Sequence, residues 1–324
     1  MALRHIFNRN TQIGIQSTKI RKLHYKEDLV NECSSEVEIN VPWGKIAGKI
    51  WGKGDKQPIL ALHGWQDNAG TFDNLAPLLT ERSSIFAIDF PGHGLSSWLS
   101  PGSYYNGMLY LITIERIRLH YGWKKVKLLG HSMGANLSFI YAGTFPSQTE
   151  FVVSVDGLKP ESTEVLENNK LISKAFKDLF KAEDKKMENP VYLENEAIRR
   201  WVEGTNKSVN ETACKILMKR GAIEKEKGKF AFSRDPILKY WTHFGMVHEQ
   251  YQNMARLICC PYMVIKATDS PYFDKKYAHD DILDILKRTS ADFWHTVVPG
   301  KHHVHLTNPK VVAESILPFI KKYD

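Results

Sequence analysis

The apolar run Val126-Lys127-Leu128-Leu129 breaks at Gly130-His131-Ser132-Met133-Gly134, and Leu137, Phe139, Ile140 and Tyr141 then carry a helical pattern as far as Pro146. A strand that becomes a helix within five residues needs a very sharp turn, and glycine at both flanks removes the side chains that would obstruct it. The serine at the apex is expected in strained backbone geometry, with its hydroxyl standing above the sheet. A helix starting at Met133 would aim its free N–H groups and the positive end of its dipole at that hydroxyl. The pentapeptide alone is weak evidence, because it should arise by chance in roughly one chain in ten of this length. The strand before it and the helix after it give it weight.

The rest of the chain repeats the same alternation. Val37, Ile39 and Val41, then Ile46, Gly48 and Ile50, alternate about Pro42-Trp43-Gly44, which reads as an antiparallel hairpin from Ser35 to Gly52. Pro58 to Leu62 is apolar throughout, as a strand buried on both faces would be, and runs into His63-Gly64-Trp65. A helix is expected over Ala69 to Leu79, a strand over Ser84 to Asp89, a helix over Ser103 to Tyr121, and a strand over Phe151 to Asp156. Repeated strand-helix units imply an α/β fold with a doubly wound, mostly parallel sheet. Alternation stops at about residues 157–257, where apolar residues recur at helical spacing between charge-rich loops such as Glu224 to Lys229. This stretch reads as a helical cap insertion over the sheet edge rather than a second core, and Trp241 and Phe244 in it read as packing residues. Strands return at Pro261 to Lys266 and Trp294 to Val298, and Pro309 to Lys321 closes the chain as a helix.

The 324 residues, 43% of them hydrophobic, suffice for a sizeable core, and no apolar run is long enough to span a bilayer. The net charge of +8 is uneven: residues 1 to 26 hold six Lys or Arg and no acid, which leaves 38 basic against 36 acidic residues elsewhere. A body so nearly balanced argues against a nucleic-acid surface. The basic N-terminal segment, 1–34, has the composition of a possible mitochondrial leader or of a disordered tail. Four cysteines without framework spacing suit a reducing compartment, so the chain is expected to be intracellular and cytoplasmic unless that leader acts. Oligomeric state is not legible.

Several motifs stand in a fixed order from about residue 35 to 324: His63-Gly64, then Asp89-Phe90-Pro91-Gly92-His93-Gly94-Leu95-Ser96, then Gly130 to Gly134, then His302 with Pro309. Together they resemble the α/β-hydrolase superfamily. Ala267-Thr268-Asp269, Phe230 to Asp235 and His302-His303-Val304-His305 are similar to the serine hydrolase-like proteins, including the insect kraken-type members. The resemblance implies a hydrolase acting on a small acyl substrate, with a triad ordered Ser, then Asp or Glu, then His.

A serine is a poor nucleophile until a base takes its proton and an acid orients that base. Ser132 is the expected nucleophile and His302 the base, with His303 second and His305 a loop-packing residue. For the acid, Asp269 is favoured, because it follows the apolar strand from Pro261 and Ser270-Pro271 begins a turn beside it. Asp156, which also ends a strand, is the alternative. By resemblance the oxyanion hole consists of the N–H groups of Trp65 and Met133, with Gly64, Gly130 and Gly134 making room. No cofactor is implied. No metal is expected either, since no acidic or thiol set at metal-site spacing accompanies the histidines at the end of the chain. The expected reaction is ester hydrolysis through an acyl-enzyme. A carbon-carbon bond hydrolase or lyase on the same triad, or a ligand-binding homologue without turnover, are the alternatives.

Overall fold

The computed structural model describes residues 34–53, 56–184, 188–240 and 245–324. The expected leader, and Trp241 and Phe244, lie outside the described residues. The chain begins with the expected hairpin, β1 (Ser34–Val41) and β2 (Gly44–Trp51), followed by β3 (Ile59–Leu62). In place of one helix over Ala69 to Leu79 there is a 3-10 turn, Ala69–Phe72, and a single helical turn, α1 (Ala76–Leu79). The linking residues are held elsewhere: Lys49 Nζ donates to Asp73, and Asn74 Nδ2 donates to the Leu306 carbonyl at 2.8 Å. Next come β4 (Ile85–Ile88), α2 (Gly107–His120), β5 (Val126–His131), α3 (Met133–Thr144) and β6 (Thr149–Val155). The insertion holds α4 (Val165–Asp184), β7 (Val191–Leu193), α5 (Glu194–Gly204), α6 (Glu211–Gly221), β8 (Ala222–Glu226), β9 (Lys229–Phe232) and α7 (His248–Leu257). β10 (Tyr262–Ala267), α8 (Lys276–Thr289), β11 (Phe293–Val298), α9 (Val304–Thr307) and α10 (Pro309–Tyr323) complete the chain.

The main sheet has the order β1-β2-β4-β3-β5-β6-β10-β11, antiparallel across β1, β2 and β4 and parallel thereafter. Successive strand residues point to opposite faces, so Leu60, Leu62 and Leu128 join the core under α2, α3, α7 and α8. Ile59, Ala61 and Leu129 join the core under α1 and α10. Both faces are covered, which is why β3 is buried along its whole length. In such a sheet the loops at the carboxyl ends of the strands form one rim.

The insertion differs from the sequence reading in two respects. It contains a three-stranded antiparallel sheet, β7-β9-β8, where helices alone were expected. Its edge strand β8, paired with β9, is solvent-facing along most of its length, so Lys and Glu mask any apolar alternation, and Gly228 at φ +73° closes the hairpin. It also has a small core of its own, in which Ile198, Trp201, Ala213, Leu217 and Met218 pack together with Leu306 of the main domain.

Arg220 pins this cap to the sheet. Only 4% exposed, it donates to Asp89 Oδ2 at 2.8 Å and to Glu36 Oε1 at 2.6 Å. Asp89 is fully buried and also accepts the N–H groups of Ala69 and Leu95. Removing the guanidinium would leave that carboxylate buried beside amide dipoles alone. Arg220→Ala is therefore expected to destabilise the protein by about 3–5 kcal/mol, measured by urea unfolding. A change below about 1 kcal/mol, the usual size for an exposed pair, would contradict this account of Arg220.

Candidate active site

Ser132 occupies the turn between β5 and α3 at φ 52° and ψ −115°, outside the regions an L-residue ordinarily populates. The neighbouring glycines make the turn possible. A Cβ on Gly134 would lie 2.0 Å from the Leu62 carbonyl oxygen, and one on Gly130 would lie 2.4 Å from the Gly134 carbonyl group. Gly64 is less constrained, with the nearest atoms 3.2 Å away on His131 and 3.3 Å away on Ser132.

His302 lies in the loop between β11 and α9, and its Nε2 is 2.9 Å from Ser132 Oγ. Its Nδ1 is 2.6 Å from Asp156 Oδ2. The structure thus sets Asp156, not the favoured Asp269, against the histidine, and this corrects the sequence expectation. Asp269 is exposed; its N–H donates to the Gly300 carbonyl at 2.8 Å, and its carboxylate accepts the Thr268 hydroxyl at 3.1 Å. The turn after β10 does serve the site, but through Ser270, whose hydroxyl donates to Asp156 Oδ2. Asp156 follows directly on β6 at φ 44°, on the strand adjoining that of Ser132. A Cβ on Gly157 would lie 2.7 Å from the Ser132 carbonyl oxygen, so these two strand ends are tightly fitted.

Donors surround the Asp156 carboxylate. Lys266 Nζ reaches Oδ1 at 2.9 Å and the Ala267 N–H reaches it at 3.0 Å, while His302 and Ser270 share Oδ2. Burial pushes this carboxyl up, but the hydrogen bonds from His302, Ser270 and Ala267 outweigh that and hold its pKa at about 2. Asp156 is thus an anion at neutral pH. Ser270 and Lys266 had no signal in the sequence beyond the turn at 270–271, because their partner lies more than a hundred residues away.

The loop after β3 is built from histidines that burial keeps neutral. The Phe90 N–H donates to His63 Nε2 at 3.0 Å, and His63 Nδ1 therefore donates to the Gly64 carbonyl at 2.7 Å. His63 has its pKa lowered to about 4 by burial. The Gln66 N–H donates to His93 Nε2 at 3.1 Å. These bonds fix Trp65 at the mouth of a cavity of about 1040 Å³, which Ser132, Met133, Asp156 and Phe273 also line. Met133 is the first residue of α3, so its N–H is one of the donors that a helix leaves without an internal partner. His305 packs against the His131 ring, 2.8 Å from the Thr71 hydroxyl, while His303 turns toward Asp67 and Ser208.

A model of the α/β hydrolase fold matches residues 57–309. A probable serine hydrolase of Drosophila melanogaster is 37% identical over 297 residues, which cover 89% of this chain and 88% of that one. A serine hydrolase-like protein of Danio rerio is 31% identical over 302 residues, covering 92% of each chain. The crystal structure of a hypothetical protein of Pseudomonas aeruginosa superposes with a TM-score of 0.78 at 28% identity, over 88% of this chain and 99% of that one.

Proposed function

Because the chain belongs to the α/β hydrolase fold family, among its serine hydrolase-like proteins, we propose that it hydrolyses carboxylic esters or related acyl substrates through an acyl-enzyme on Ser132. The observation that carries this reading is the line of hydrogen bonds from Ser132 through His302 to Asp156, opening on an apolar cavity. Ser132 Oγ attacks the acyl carbon while His302 Nε2 takes its proton, and Asp156 stabilises the imidazolium and fixes its tautomer. The N–H groups of Trp65 and Met133 receive the charge on the carbonyl oxygen. His302 returns its proton to the departing alcohol, and the same base then activates the water that releases the acid.

The cavity favours an acyl or alcohol group of some length. Met108, Leu111, Ile112, Leu137 and Ile140 line the wall beyond Ser132, and the volume of about 1040 Å³ exceeds what an acetyl ester fills. On a series of p-nitrophenyl esters, kcat/KM is expected to rise with chain length by up to roughly 4-fold per methylene until the wall is reached, since each buried methylene is worth about 0.8 kcal/mol. A profile that falls from acetate onward would contradict the assignment of this wall to substrate.

A further inference from the structure

Behind the triad, three further side chains meet, one from each loop that builds the site. Asp67 lies two residues after Trp65, His131 directly precedes Ser132, and His303 directly follows His302. One ligand-type atom from each lies within 4.8 Å of the other two. Exposure is 5% for Asp67, 0% for His131 and 7% for His303.

The hydrogen bonds around this cluster determine where its protons sit. His131 Nε2 is 3.0 Å from the His302 carbonyl oxygen, which can only accept, so Nε2 carries the ring proton and Nδ1 holds a lone pair. That Nδ1 is buried with no hydrogen-bond partner among the described residues. The Ser208 hydroxyl gives its proton to the Thr205 carbonyl at 2.7 Å. It therefore accepts from His303 Nδ1 at 2.8 Å, which leaves the lone pair of His303 on Nε2. His303 Nε2 stands 3.7 Å from Asp67 Oδ2, which is likewise buried without a hydrogen-bond partner among the described residues, while Asp67 Oδ1 accepts the Asn68 N–H at 2.9 Å. Three electron-pair donors thus face one another, with no hydrogen bond among them or to Asp67 Oδ2 and His131 Nδ1 from the described residues.

We propose that Asp67 Oδ2, His131 Nδ1 and His303 Nε2 form a binding site for a divalent transition-metal ion of the zinc class. Two neutral imidazoles and a carboxylate oxygen are a ligand set that such ions take. Zinc bonds of about 2.0–2.2 Å put neighbouring ligand atoms about 3.4 Å apart in tetrahedral geometry, so the 3.7 Å between Asp67 and His303 needs a slight closing, and the pairs with His131, within 4.8 Å, need a movement of up to about 1.4 Å. The outer nitrogens of both histidines already make the bonds that orient ligating imidazoles, to the His302 carbonyl and to Ser208. Burial acts in the same sense on the imidazoles, holding both well below the usual histidine range with help from the neighbouring histidines. An ion here ties together the loops of Trp65, Ser132 and His302, which gives it a structural role distinct from bond cleavage. The spacing argument missed the site because its carboxylate lies 236 residues before its second histidine, as their numbers show.

The test uses the full chain, stripped with a chelator and titrated with zinc, then with cobalt as a spectroscopic reporter. The wild type is expected to bind one zinc, to melt at a higher temperature when loaded, and to give cobalt bands without the thiolate charge-transfer band that binding at exposed Cys259 would produce. Asp67→Asn keeps the oxygen that accepts from Asn68 and adds an amide donor facing the imidazoles. It should fold without metal and bind zinc at least about 100-fold more weakly, the upper end of the loss seen for an outer-shell partner. His303→Gln should lose the site in the same way, and it carries the comparison if Asp67→Asn does not fold. Zinc binding by the wild type no tighter than by these variants would overturn the proposal and leave a trapped water or shared proton as the occupant. Hydrolysis is not the readout, so the result is independent of the role of Ser132.

Discussion

Replacing Ser132 by alanine is expected to lower ester hydrolysis by roughly 10³-fold or more while leaving the melting temperature nearly unchanged. The size follows from removing the attacking atom itself: the cavity, the oxyanion donors and His302 remain, and these alone give only background rates. The fold should tolerate the change because, among the described residues, the hydroxyl bonds only to His302, and alanine suffers the same backbone strain at φ 52° as serine does. Activity on the ester series together with thermal unfolding checks both halves of this expectation. Wild-type turnover in a folded variant would place the chemistry elsewhere.

Asp156→Asn is expected to lower kcat by roughly 10³–10⁴-fold. Every neighbour of that carboxylate is a donor: His302 Nδ1, Ser270, Lys266 and the Ala267 N–H. An amide group in their midst must turn at least one N–H toward another donor. The imidazole then loses either its anchor or its correct tautomer, and the imidazolium loses its counter-charge. Some stability should be lost as well, since the ammonium of Lys266, at 8% residue exposure, loses its buried counter-charge and is left with neutral oxygens, including the Ala267 and Ser270 carbonyls. Asp269→Asn should change kcat by less than about 2-fold, as an exposed side chain whose carboxylate bonds to Thr268 rather than to His302 would. Circular dichroism establishes that both variants are folded before their rates are compared.

The contrast between these two aspartates shows what the sequence could convey. The succession of strands and helices along the chain and the sharp turn at Ser132 were legible because they rest on local periodicity and on glycines that no other residue can replace. His302 was legible by its place in the last loop. The carboxylate that meets His302 was not, because Asp156 and Asp269 each stand at the end of an apolar strand, and which one reaches the histidine depends on how far each loop carries it across the rim. The turn at Ser270 misled for the same reason, since it supports a carboxylate from another strand. The small sheet of the cap was hidden by its exposure: β8 alternates toward solvent on most of its length, so its composition resembles a charged loop. Arg220 and Glu36 had no local signal at all, because a pair separated by 184 positions is set by tertiary packing alone.

The account is tested most directly by fluorophosphonate labelling followed by intact mass and peptide mapping. That reagent bonds to a serine oxygen only when the oxygen is activated as a nucleophile. The wild type is expected to take up one label, on Ser132. Ser132→Ala should take up none, Asp156→Asn should label far more slowly, and Asp269→Asn should label at the wild-type rate. A folded wild type that remains unlabelled, or a label rate that falls in Asp269→Asn and holds in Asp156→Asn, would contradict the triad of Ser132, His302 and Asp156.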